Sequence, residues 1–397
     1  MLMDSISYPP DITQFSEELD QYLTELFGAT RSHQLAIALR QPGHLFYLRT
    51  NTLRSTTKEL VAQLQAENIS ALIADPELDV VALPIYPGVS VPKHDKIVVA
   101  DKASSENVLL GSHLYRPGLV RSDQFSEGDE VTVVNPRGYI VGSGIVQTNS
   151  SQLHTQQHGL VVKITDPFYS LPSMADLTAY QKGLFCSQSL SAALVAPILD
   201  PQQGETIIDF CAAPGGKSTH IAQLTKNQCH LFAVDRSEKR IERLLAESKR
   251  LGVTCITPFV GRAKAFVEQH PQVQADRVLV DPPCTALGVR PKLYDDTTLA
   301  RIRSTASYQR MILESAVTML RPGGILVYST CTLTVEENEH NIQYLIDSLN
   351  FRLEAQIPYR GTGGLTGSPP VKQYVQRIYP DVHDLPGYFI AKLRKPE

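Results

Sequence analysis

From residue 205 onward the sequence alternates short, uninterrupted apolar runs with helical stretches. ETIIDF, HLFAVD, DRVLVD and GILVYS are the runs, and KSTHIAQL, KRIERLLAESKRL and SYQRMILESAVTML are among the stretches between them. An apolar run with no polar alternation reads as a strand covered on both faces, and a helix after each run returns the chain for a parallel neighbour. The predicted fold is therefore α/β, with a Rossmann-like, mostly parallel sheet over residues 166–397. PGYFIAKLRK closes it as an antiparallel strand. In such a sheet, ligands meet the residues just past the carboxyl ends of the strands.

A chain of 397 residues exceeds one ordinary core, and its texture changes twice before this region. Residues 1–90 read as a small α/β region. It has a helical pattern over 14–39, a strand in LFYLRTNTL, and a helix over KELVAQLQAEN introduced by Thr56 and Glu59 at capping-box spacing. Residues 91–165 hold short β-rich runs (KIVVA, DEVTVVN, YIVGSGIV, GLVVKI) separated by turns, the pattern of a compact barrel. GTGGLTGSPP at 361–370 reads as a mobile loop by composition.

The 42% hydrophobic and 20% charged content fits a globular protein, and no run reaches the roughly 18 apolar residues of a membrane span. The first residues show no basic start before an apolar stretch, so no secretory leader is expected. Six cysteines lie scattered without CxxC spacing, which argues against a zinc site or a disulfide framework and for the reducing cytoplasm. A net charge of −4 conceals an uneven distribution. Residues 1–30 carry six acids and no Lys or Arg, whereas residues 31–58 carry Arg31, Arg40, Arg49, Arg54 and Lys58 with no acid. A local basic surface suffices for phosphate contact, although the same run could be an ordinary solvated face.

CAAPGGKST, between the strand ETIIDF and the next helix, has the make-up of a cofactor loop: Cys211, Ala212, Ala213, Pro214, Gly215, Gly216 and Lys217. Its backbone N–H groups can face a ligand, and Asp235, ending the following strand, can accept both hydroxyls of a ribose. A phosphate-binding loop is the competing reading, but its first glycine is replaced by Cys211 and Pro214 interrupts it. Two cysteines, Cys284 in VLVDPPCTALG and Cys331 in VYSTCTLT, follow two further strands. A cofactor loop with two crevice thiols points to covalent catalysis on an electrophilic ring.

Taken together, DFCAAPGGKSTH, VDRSEKR, VLVDPPCTALG and VYSTCTLTVEENE resemble the NSUN family of RNA 5-cytosine methyltransferases, and RIYPDVHDLPGYFIAKL is similar to its closing strands. Residues 91–165, above all ENVLLGSHLYRPGLV, resemble a PUA domain, as in the tRNA-modifying branch of that family. The resemblance implies an S-adenosyl-L-methionine-dependent enzyme that methylates cytosine C5, most readily near the 3′ end of a tRNA acceptor stem. It implies Cys331 as the nucleophile that adds to C6 and Cys284 as the thiol tied to product release. DNA cytosine methyltransferases use the Pro-Cys position instead, so Cys284 stays a rival nucleophile. Asp281 would bond the cytosine or the cofactor, Lys217 would contact the base, Asp235 would hold the ribose, and Arg240 would support it.

Thr334 and Glu337 have capping-box spacing for the helix after Cys331. One departure from the family pattern is Val260 or Gly261 where an acid usually faces the adenine. Arg49 and Arg54, with Arg116 in the barrel, are the candidate RNA-backbone contacts. The expected protein is a monomer acting on RNA without a metal or membrane. The alternatives are the same chemistry on rRNA, or a non-catalytic RNA-binding factor with a decayed cofactor site.

Overall fold

Ile207, Leu279 and Val327 pack on one face of the carboxy-terminal sheet and Ile208, Val278 and Leu326 on the other, all fully buried. Both faces being apolar is what made these strands read as unbroken runs. In the computed structural model, which describes residues 6–88, 90–154 and 157–397, the strands are β1 (Thr206–Phe210), β2 (His230–Asp235), β3 (Ile256–Val260), β4 (Ala275–Val280) and β5 (Leu320–Thr330), then β6 (Arg352–Leu353), β7 (Gln376–Ile378) and β8 (Tyr388–Arg394). Their order is 3-2-1-4-5-8-6, with β7 also on β8. Strands β1–β5 are mutually parallel, and β8 runs antiparallel beside β5, as the closing segment was read.

Five helices matter to the site: α1 (Gly216–Leu224), α2 (Glu238–Leu251), α3 (Ala263–Gln269), α4 (Leu299–Met319) and α5 (Glu339–Leu349). Phe266 of α3 and Ile312, Leu313 and Ala316 of α4 cover one sheet face, and the segment Ala193–Leu199 covers the other.

The preceding regions differ in detail from the sequence reading. The stretch 14–39 forms two helices, Glu17–Phe27 and Ala29–Arg40, interrupted at Gly28, whose φ of +80° favours glycine. Thr56 and Glu59 make the expected capping box. The N-terminal sheet pairs Leu45–Thr50 with Val80–Pro84, and its outer strand Phe185–Ser187 comes from beyond residue 166. The β-rich segment thus lies within an N-terminal unit that is completed only after it. That segment forms a six-stranded sheet around Val98, Val131, Val133, Val141 and Val162.

Residues 361–370 are tied down rather than free. Leu365 N donates to Glu339 (2.9 Å) and Ser368 N to Gln343 (2.9 Å). Glycine content permitted mobility here, but side-chain acceptors on α5 remove it. The N-terminal helices also reach the site from behind. Leu19, Leu23, Leu35 and Leu39 pack on Leu287 and Leu333, which follow the two cysteine turns.

Candidate active site

The carboxyl ends of β1, β2, β4 and β5 deliver Cys211, Asp235, Asp281 and Cys331 to one side of the sheet. A cleft there is lined by Phe210, Cys211, Asp235 and Arg240, and at its far end by Gly261, Arg262, Pro283 and Tyr308. Gly215 caps α1 at a φ of +107°, and a Cβ on it would meet the Leu244 side chain at 3.0 Å, so the turn into the helix requires glycine. Cys211 takes a φ of +67°, a strained position for a residue with a side chain, and burial pushes its thiol up, keeping it neutral. Ala212 and Ala213 are buried beneath the loop and Pro214 is exposed.

Asp235 fits a ribose. Its Oδ1 accepts from Ser237 N (3.0 Å), while Oδ2 is buried with no hydrogen-bond donor and lies 3.3 Å from Arg240. A buried carboxylate oxygen without a donor is costly unless a ligand hydroxyl supplies one. Arg240 also donates to Ala213 O, joining that strand end to the loop. Asp209, Asp235 and Asp281 raise the Cys211 thiol electrostatically and Arg240 lowers it, so the corner offers both acidic and basic groups to a ligand that carries charges of both signs. These features fit S-adenosyl-L-methionine. At the end of β3 the chain offers Val260, Gly261 and Arg262, so the departure noted in the sequence is also one of the cleft.

Beside the cleft lie the groups with chemical potential. Cys284 Sγ and Cys331 Sγ are 3.4 Å apart, both half-buried. Lys217 Nζ bonds Asp281 Oδ2 at 2.6 Å, and Asp281 Oδ1 accepts from Ser329 Oγ (2.8 Å) and the Tyr388 hydroxyl (3.4 Å). Burial works against the charge on Lys217, but Asp281 outweighs it and holds the ammonium above the ordinary lysine range. The hydrogen bond from Cys284 lowers the Cys331 thiol; burial and the Asp281 charge oppose this, and Lys217 and Lys292 assist it. The same bond, burial and the nearby Glu337 carboxylate push Cys284 up. The two shifts run in opposite directions, down for Cys331 and up for Cys284, as for two thiols that share one hydrogen bond in which either can be the donor.

The sequence reading missed several residues. Ser329 and Tyr388, which bond Asp281, lie inside the VYSTCTLT and RIYPDVHDLPGYFIAKL segments, but nothing in those segments marks them as its partners. Glu337 is no helix cap: α5 begins at Glu339, Asn338 precedes it without a side-chain cap, and the Glu337 carboxylate reaches Thr285 instead. Spacing alone could not reveal that partner, 52 residues upstream.

Of the candidate RNA contacts, Arg49 is overturned. It is 1% exposed, and its guanidinium donates to Gln188, to Gly216 O (2.5 Å) and to Thr219 Oγ1 (2.9 Å). The sequence showed a basic run but not which way a strand residue points; Arg49 faces inward and ties the N-terminal sheet to α1. Arg49→Met is expected to lower unfolding free energy by roughly 2 kcal/mol in a denaturant titration, because Gly216 O and Gln188 lose a charged donor. Salt dependence of RNA binding should not change. Arg54 is exposed, donating to Lys182 O (2.8 Å), and Arg116 is half-buried, donating to Leu153 O (3.1 Å).

Residues 196–394 match the family described as 16S rRNA methyltransferase RsmB/F, and residues 96–168 match the PUA domain. The chain belongs to the RsmB/F methyltransferase family. An RsmB/F relative from Pyrococcus horikoshii, named tRNA (cytosine(72)-C(5))-methyltransferase, is 40% identical, over 96% of this chain and 97% of its own. Human tRNA (cytosine(72)-C(5))-methyltransferase NSUN6 is 28% identical over 99% of this chain and 94% of its own. The crystal structure of NSun6 from Pyrococcus horikoshii with SFG aligns at a TM-score of 0.85 and 38% identity, covering 96% of this chain and 99% of that one. This RsmB/F protein is thus a methyltransferase whose cofactor is S-adenosyl-L-methionine, and the phosphate-loop alternative falls away.

Proposed function

We propose that this RsmB/F enzyme methylates C5 of a cytosine near the acceptor-stem end of tRNA, with Cys331 as nucleophile and Cys284 assisting release, as a cytoplasmic monomer. The observation that carries the reading is the pair of sulfurs 3.4 Å apart at the ends of neighbouring strands, beside the Lys217–Asp281 ion pair. Six free cysteines suit a reducing compartment.

Cytosine C5 is a weak nucleophile until C6 is attacked. Addition of the Cys331 thiolate at C6 leaves an enamine whose C5 is electron-rich. When bound, S-adenosyl-L-methionine supplies an electrophilic methyl group on a sulfonium. A base, such as a water molecule, then takes the C5 proton. The C–H electron pair re-forms the C5–C6 double bond and the C6–S bond breaks. This releases the Cys331 thiolate, which the Cys284 S–H stabilises by donating to it. Lys217 and Asp281, locked together, can present a donor and an acceptor to the cytosine edge. The Asp235 Oδ2 and the Arg240-braced loop would hold the cofactor.

Reaching the target requires unstacking it, which is cheapest at a helix end. The 40%-identical relative, aligned over 96% of this chain, is named for cytosine 72 of tRNA. Arg54 and Arg116 are the proposed phosphate contacts. Incubating tRNA transcripts with the enzyme and S-adenosyl-L-methionine, then mapping by bisulfite sequencing, should give one 5-methylcytosine at position 72. Modification of rRNA with none in tRNA would refute the substrate assignment.

A further inference from the structure

Glu337 and Asn338 are adjacent, fully buried and unused by the chemistry above. The Glu337 carboxylate accepts four hydrogen bonds: from Thr285 N (2.9 Å), Thr285 Oγ1 (2.5 Å), Thr334 Oγ1 (3.0 Å) and Gln309 Nε2 (3.0 Å). Thr285 is the residue after Cys284. Asn338 grips the other turn, accepting from Thr330 Oγ1 (2.5 Å) and donating to Thr332 O (3.1 Å), the residues on either side of Cys331. Thr332 and Thr285 complete the link through their hydroxyls, 2.7 Å apart. Because Thr285 gives its proton to Glu337, it accepts the one from Thr332.

We propose that Glu337 is a positioning residue for methyl transfer: with Asn338 it locks the Cys284 turn against the Cys331 turn and so fixes the register of the two sulfurs. This rests on Cys331 being the nucleophile and Cys284 its hydrogen-bond donor. A buried carboxylate is expensive to desolvate, and neither side chain caps α5, so helix formation does not account for the charge. Burial raises the Glu337 carboxyl, and the four donors converging on its two oxygens oppose that shift and favour the ionised form. Glutamine removes the charge, and an amide nitrogen in place of Oε1 obliges the Thr285 and Thr334 hydroxyls to turn from donors into acceptors and the Thr285–Thr332 bond to reverse. The Glu337 charge also lies by Cys284 rather than Cys331, which discourages ionisation of the wrong thiol.

The test is alkylation of the full chain with iodoacetamide at pH 7.5, each cysteine quantified by mass spectrometry, alongside steady-state kinetics. In the native enzyme Cys331 should react at least about tenfold faster than Cys284, because the thiolate is the reactive form. In Glu337→Gln that ratio should fall to within about threefold, and kcat should drop roughly 100-fold with KM for RNA nearly unchanged, as for a misplacement of about 1 Å. Faster alkylation of Cys284 in the native enzyme would sink the nucleophile assignment. A native preference for Cys331 that persists in folded Glu337→Gln, with kcat intact, would sink the positioning role alone. Should Glu337→Gln not fold, Thr285→Val, which keeps the backbone bond and loses the hydroxyl, should shift the ratio in the same direction. An unchanged ratio there equally overturns the proposal.

Discussion

Cys331→Ala should lower methylation turnover by on the order of 10⁴-fold or more, the scale seen when a covalent nucleophile is removed. Without the sulfur, C5 of the cytosine is never activated, and positioning of cofactor and base cannot compensate. Cys284→Ala should fail differently. The Cys331 thiolate can still add to C6, but it loses the S–H donor 3.4 Å away that stabilises it on departure. The variant should therefore accumulate a protein–RNA adduct that survives denaturing electrophoresis. The double variant should give neither product nor adduct. Release of normal product by Cys284→Ala together with residual methylation by Cys331→Ala would exchange the two roles. Charge acts on both sulfurs: Lys217 and Lys292 favour the Cys331 thiolate and Asp281 opposes it, while Glu337 opposes ionisation of Cys284.

The parts of this protein legible in its sequence are those set by local periodicity or by short motifs. Strands β1, β2, β4 and β5 read as apolar runs because both faces are covered, and the cofactor loop and both cysteines follow directly from their ends. What depended on partners distant in sequence was not legible. Arg49 belongs to a basic run but points inward, where Gly216 and Thr219 lie more than 160 residues away. Glu337 matched a local capping pattern, and the competing long-range bond to Thr285 won because both groups are buried and neither has water as an alternative. Phe185–Ser187 looked like part of the catalytic region by position, yet its hydrogen-bond partners are Leu48–Thr50. Residues 361–370 had the glycine content of a free loop, and only the acceptors on α5 reveal that they are held.

The largest stability effect is expected at Asp209, beneath the cofactor loop. It is 1% exposed, and burial pushes its carboxyl from 3.8 up to about 7; the Ser218 hydroxyl (2.6 Å) opposes this, and the charges of Asp281 and Asp235 add to it. The folded-state value lies above the unfolded one, so this residue favours the folded state fully below about pH 4. That contribution is lost as pH rises to about 7, because the unfolded chain ionises first. Three units correspond to roughly 4 kcal/mol across this window, with a plateau above it. Asp209→Asn retains an acceptor for Ser218 and removes the titration. The difference between variant and native unfolding free energies, measured from pH 4 to 8, should therefore change steadily in the variant's favour and level off above about pH 7. An amide N–H in place of the unpartnered Oδ1 costs something at every pH, so the slope and not the offset is diagnostic. A bound cation that offsets Asp235 and Asp281 should lower Asp209 and flatten the native curve, so repeating the series with S-adenosyl-L-methionine tests whether that cluster of acids serves the cofactor. A native–variant difference independent of pH would show that Asp209 is ionised in the folded protein throughout, and the charge balance of the site would have to be redrawn.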